Sequence, residues 1–185
     1  MVPSNLEVIQ INLQHCKEAT AILGHCLTML HTVIALVQEP WIYLNQVRGL
    51  GFVKGNLFVD TTNPTPRACI LVTKDVNATL LPEFTNRDLV AVEVKHQVGG
   101  VAQRVVFASV YLPFDSVTPP PSQEMEALVA YCEQHQLPII LGCDANAHNI
   151  SWGSLDTNLR GQALMEYLVG TNLLIHFLAF HPSIR

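Results

Sequence analysis

Apolar positions fall into short runs broken by polar and turn-forming residues, and the spacing inside each run names an element. Residues 6–13 (LEVIQINL) are apolar on both faces and predict a buried strand. Ala19, Ile22, Leu23, Cys26, Leu27 and Leu30 follow at intervals of three and four, which predicts one stripe of a helix. Residues 33–37 predict a second buried strand, running into Gln38, Glu39 and Pro40, where the proline ends regular structure. The middle is β-rich: 68–73, 76–81, 89–95 and 101–111 all read as strands, with Gly99-Gly100 as a hairpin turn. Residues 113–121 form a loop closed by three prolines, and Ser122 is placed to cap a helix reaching about residue 134. The inner face of that helix is Met125, Leu128, Val129 and Cys132. A strand over 138–143 (PIILGC), a polar loop over 144–159, a helix over 160–169 with Leu164, Tyr167 and Leu168 inward, and a strand over 173–180 complete the pattern. The order β-α-β, meander, β-α-β-α-β predicts a layered α/β domain with mixed sheets over residues 1–185.

Composition narrows the functions open to such a domain. Of 185 residues, 49% are hydrophobic and 14% charged, which excludes a disordered chain. The net charge of −5, with Arg48, Lys54, Arg67, Lys74, Arg87, Arg104 and Arg160 scattered, argues against tight non-specific duplex binding. It leaves room for contact with one scissile phosphate through a metal. Five cysteines show no C-x-x-C pair and no zinc spacing, as expected of reduced thiols in a nuclear or cytoplasmic protein. No signal-peptide pattern opens the chain and no apolar run is long enough to span a bilayer, so neither secretion nor a membrane partner is expected.

Candidate chemistry sits where apolar strands end: Asn12 after the first, Glu39 after the second, Asp144 and Asn146 after PIILGC. Strand ends are where α/β folds assemble sites. Glu39 and Asp144 suit a hard cation such as Mg²⁺, which takes one or two carboxylates plus water and substrate phosphate. Taken singly, each is more often a turn or loop residue, since Asp and Asn side chains bond their own backbone. Cys143, beside Asp144, reads as a buried strand residue, and Arg160 as a solvated helix start. His15, Cys16 and His25 fit no zinc pattern and read as packing residues.

Four segments in register resemble a known family. QINLQHC (10–16), VQEPW (37–41), VYLPFD (110–115) and ILGCDANAHNISWGS (140–154), followed by Asn158-Leu-Arg-Gly, resemble the endonuclease domain of insect non-LTR retrotransposons. The type is the apurinic-endonuclease-like one of the R1 group, within the endonuclease/exonuclease/phosphatase superfamily. The resemblance implies a four-layered α/β sandwich of two mixed sheets flanked by helices. It implies Mg²⁺ held at Glu39 and Asn12, and Tyr111 near the scissile phosphate. Asp144 would activate water, Asn146 would contact the phosphate, and His148 and Trp152 would edge the DNA-binding face. DNA is the implied substrate, and a reverse transcriptase domain the implied companion in an intact parent polypeptide. Two departures accompany it. The family's terminal Ser-Asp-His segment is missing, so the sandwich is expected to lack its last strands and activity to be impaired. Gln14 stands where some relatives carry an acid. An inactive remnant and a phosphatase of the same superfamily are the alternative expectations.

Overall fold

The computed structural model describes residues 6–51, 54–98 and 101–175, which divide into two compact units. Of these, the residues up to 112 and 123–144 make the first unit, and 113–122 and 145–175 make the second.

The first unit is built on two four-stranded sheets. In the first sheet β1 (Glu7–Asn12) lies parallel to β2 (Val33–Gln38), β2 pairs antiparallel with β6 (Ala68–Thr73), and β6 with β5 (Gly55–Val59). In the second, β10 (Ile139–Asp144) lies parallel to β9 (Val101–Tyr111), which pairs antiparallel with β8 (Leu89–Val98), and β8 with β7 (Asn77–Leu80). A small ribbon of β3 (Ile42–Tyr43) and β4 (Gln46–Val47) turns through Leu44 and Asn45, both left-handed as its two-residue turn requires.

Alternation sorts the side chains into layers. Ile34 and Leu36 of β2 and Ile70 and Val72 of β6 face Val90, Val92, Val94 and Phe107 of the second sheet in one buried cluster. The opposite face of the first sheet, with Val33, Ala35, Val37, Cys69 and Leu71, packs on Leu23 and Leu27 of α1 (Lys17–Thr28). Helix α2 (Gln123–Gln134) joins β9 to β10 and covers the outer face of the second sheet, where its Tyr131 meets Arg104 of β9. The result is helix, sheet, sheet, helix, the four layers that the resemblance implies.

The inner face expected for α2, Met125, Leu128, Val129 and Cys132, is buried as read. That of α1 is rotated. Thr20, Leu23, Gly24 and Leu27 are buried, whereas Ile22 and Cys26 are exposed. Thr20 tolerates burial because its hydroxyl donates to the Cys16 carbonyl at 2.8 Å. Strand β1 is partly exposed and not buried as expected, because among the described residues it lies at the edge of its sheet. The strand β5 was not foreseen. In the second unit, α3 (Leu159–Val169) buries Gly161 and Leu164, with Tyr167 and Leu168 half-buried. Residues 173–175 form no strand, and the remainder of the strand expected over 173–180, like the Gly99-Gly100 turn, lies outside the described residues. No described helix is long and apolar enough to cross a membrane.

Candidate active site

Both parallel pairs end at the same kind of place, and the residues there are polar. Beneath them, Gln38 is fully buried between the sheets. Its amide nitrogen donates to Ser109 Oγ (2.8 Å) and to the Gly142 carbonyl (2.9 Å), and its oxygen accepts from Gln10 (2.6 Å). Ser109 in turn donates to the Val37 carbonyl at 2.8 Å. This neutral network joins β1, β2, β9 and β10 with each named group partnered, as burial of polar atoms demands.

At the end of β1, the Asn12 side chain does two things. Its oxygen accepts the Gln14 backbone N–H at 2.7 Å, and its nitrogen donates to Asp144 Oδ2 at the end of β10. Two residues 132 apart in sequence are therefore bonded across the two sheets. The chain leaves β1 through Gln14 and His15, with φ of 49° and 54°.

Glu39 also has a left-handed backbone, φ 46°, immediately before Pro40, a conformation that persists only where neighbours enforce it. Its N–H donates to the Arg67 carbonyl and its carbonyl accepts from the His15 N–H, both at 2.8 Å. Its carboxylate is 19% exposed and lies 3.8 Å from His15 Nε2, while His15 Nδ1 is 3.0 Å from the Pro40 carbonyl.

Tyr111 ends β9, opposite Asp144 in register, and is 8% exposed. Its N–H donates to the Asp88 carbonyl at 2.8 Å, and the Leu112 N–H donates to the Asp144 carbonyl at the same distance. The Arg67 guanidinium lies 4.7 Å from the Tyr111 ring centre and makes a two-pronged pair with Asp88, 2.6 Å on each prong. Arg67 and Asp88 were not singled out as site residues, because only the fold brings them beside Tyr111. Desolvation, then the Asp144 charge, push the half-buried Cys143 thiol up to about 12, which disfavours the thiolate.

In the second unit, the DANAH segment is a locked loop. Asn146 has φ 45°. Arg160 donates to the Asn146 carbonyl (3.0 Å) and the Ala145 carbonyl (3.3 Å), so it is engaged with the loop and is not the solvated helix start expected. Asn158 caps α3 by accepting from Gly161 (2.8 Å) and also accepts from the His148 N–H (3.2 Å). A Cβ on Gly161 would lie 1.8 Å from the His148 carbonyl, so only glycine fits there. Trp152 donates its indole N–H to the Ala147 carbonyl at 3.1 Å, and His148 pairs with Asp156 at 2.9 Å on an exposed rim.

The first unit thus brings Asn12 and Asp144 into contact and places Glu39 and Tyr111 at the ends of the strands beside them, while Asn146, His148 and Trp152 share one loop. Among the described residues no three His, Cys, Asp or Glu side chains cluster as a metal site. A human Nocturnin catalytic domain with bound sulfate anion is 13% identical, over 76% of this chain and 64% of that one, at a TM-score of 0.44. No curated protein matches the chain. Residues 105–182 match the family model described as endonuclease-reverse transcriptase. The endonuclease domain of TRAS1, a telomere-specific non-LTR retrotransposon, superposes at a TM-score of 0.67 with 24% identity, covering 90% of this chain and 70% of that one. In sequence over residues 105–182 the chain is similar to the endonuclease-reverse transcriptase family, and in fold over 90% of its length it is similar to a retrotransposon endonuclease domain.

Proposed function

We propose that the chain is a Mg²⁺-dependent endonuclease domain that hydrolyses a DNA phosphodiester, and that its parent polypeptide carries a reverse transcriptase. The observation that carries this reading is the Asn12–Asp144 bond, which joins the ends of the two parallel strand pairs beside Glu39 and Tyr111.

Asp144 takes the proton of the attacking water. Its link to Asn12 fixes one carboxylate oxygen, so the carboxylate is oriented before substrate arrives. The Tyr111 hydroxyl donates to a phosphate oxygen, and Asn146 takes the phosphate-contacting role that the resemblance gives it. These groups meet charge that grows as the phosphorus centre is attacked. His148 and Trp152 contact DNA beyond the scissile phosphate.

The donor set fits Mg²⁺. Asn12 and Glu39 offer hard oxygen atoms, and so few protein charges suit an ion that keeps waters and binds substrate phosphate. Glu39 and Asn12 would hold it, and when bound it supplies charge neutralisation at the phosphate. A DNA substrate places the protein in the nucleus or, before import, the cytoplasm.

The test is nicking of supercoiled plasmid with Mg²⁺ or with EDTA, beside Asp144→Ala and Glu39→Ala. The expected result is Mg²⁺-dependent nicking that falls by about 10²–10³ or more in each variant. Undiminished nicking in the variants, or hydrolysis of a phosphate monoester with no nicking by the folded protein, overturns the reading.

A further inference from the structure

Arg67, Asp88 and Tyr111 form a closed loop of contacts. The Asp88 carbonyl holds the Tyr111 backbone N–H at 2.8 Å. The Asp88 carboxylate holds both prongs of the Arg67 guanidinium at 2.6 Å. The guanidinium lies 4.7 Å from the Tyr111 ring centre, within the range where a cation is drawn to an aromatic face. Both charged side chains are largely withdrawn from water, 17% and 30% exposed, so the pair is screened less than a surface pair and its geometry is well defined. The Arg67 backbone is anchored as well, its N–H donating to the Arg87 carbonyl at 2.7 Å and its carbonyl accepting the Glu39 N–H at 2.8 Å.

We propose that Arg67 is a positioning residue for Tyr111: the guanidinium held by Asp88 fixes the ring, and so the direction in which the phenol hydroxyl is presented. The role in catalysis rests on the reading of Tyr111 as a phosphate-facing group. The backbone of Tyr111 is set by the β9 ladder and by Asp88, but a ladder leaves the side chain its rotamers. A flat cation packed on one ring face restricts them. Lysine does not substitute for this, because an ammonium has neither the plane to stack nor the fork to grip Asp88. The Glu39 contact uses the Arg67 peptide group alone and survives any side-chain change, so the two supports are separable by mutation.

The chain has four tyrosines, Tyr43, Tyr111, Tyr131 and Tyr167. Uniform 3-fluorotyrosine labelling gives each a fluorine resonance, and Tyr111→Phe identifies the one of interest. In Arg67→Lys and Asp88→Asn, compared at matched thermal midpoints, the Tyr111 resonance is expected to shift and broaden while the other three stay. In the same variants the nicking kcat is expected to fall about ten- to a hundred-fold with KM little changed, the mark of lost alignment. Two variants that loosen the clamp from opposite ends guard against one failing to fold. A Tyr111 resonance unchanged in a folded variant overturns the proposal. A shifted resonance in a protein whose wild type does not nick upholds the positioning and removes the nuclease reading instead.

Discussion

The central strands and the edge strands of the first unit carry the candidate site in different ways. Strand β2 is buried at every residue, and β9 runs beside two partners. Strands β1 and β10 are partly exposed, and each has a single described partner. Glu39 follows β2 and Tyr111 ends β9, and they are held from several directions, by Arg67, Asp88 and His15. Asn12 and Asp144 end the edge strands, and their side chains hold each other. Position at the strand centre is thus over-determined. Position at the edge depends on a few contacts, so an edge is where small structural changes reach the chemistry with little warning in stability.

Gln38 tests the central half of that contrast and carries the largest expected effect. Gln38→Leu keeps the volume but leaves the buried Gly142 carbonyl without its donor, whereas Gln10, on the exposed side of β1, can turn to water. Each orphaned buried group costs about 1–3 kcal/mol. Unfolding by urea is expected to shift to a lower midpoint by a matching amount, with an unchanged slope. A variant as stable as the wild type would mean that the network adds nothing to holding the sheets.

Gly142→Ala tests the edge. A Cβ at residue 142 would lie 2.7 Å from Leu36 Cβ and 2.9 Å from Gln10 Cγ, so β10 must move away from β2. An edge strand can do this more cheaply than a central one, and overpacking costs about 1–3 kcal/mol. Asp144, two residues on, moves with the strand. Nicking is therefore expected to fall by more than the stability loss accounts for, read as kcat at a temperature where the variant is fully folded. Full activity in a destabilised variant would show that Asp144 is as firmly held as Glu39.

The same contrast explains what could be read in advance. Unbroken apolar runs announce strands, so β2 and β10 and the polar residues at their ends were legible. The inner face of α2 was legible because its four apolar positions follow one stripe. The α1 stripe misled because Thr20 and Gly24 replace apolar residues on the buried side. Thr20 packs there close to Gly49, whose added Cβ would lie 2.8 Å from its methyl. Strand β5 was hidden by its length and its Gly-Asn start, and exists by pairing with β6. Arg67 looked like one of several scattered cations, since its partners lie 21 and 44 positions away and no periodicity links them. Gln38 looked like the polar end of a strand and not a buried joint. Arg160 was read as solvated because the carbonyls it bonds belong to a loop whose path no local rule gives.

The smallest effect separates two ways of stabilising central strands. The Gln38 network carries no charge, whereas β8 buries Glu93, 6% exposed, against Arg104 of β9, with Lys95 Nζ 3.8 Å away. The hydrogen bond from Arg104 holds the Glu93 carboxyl below its ordinary value of 4.5, overcoming the opposing effect of burial. A carboxyl whose value is lower in the folded state than in the unfolded chain stabilises the fold in full above the unfolded value. That contribution fades as the pH falls through the lower, folded value. Glutamine imitates the protonated acid, so Glu93→Gln is expected to be less stable than the wild type near neutrality and to approach it in acid. Thermal midpoints measured from pH 7 down to pH 3 check this, about the span over which a carboxyl titrates. Curves that converge toward acid place the ion pair among the supports of the central strands. Curves that stay parallel would leave those strands to apolar packing and the neutral Gln38 network alone.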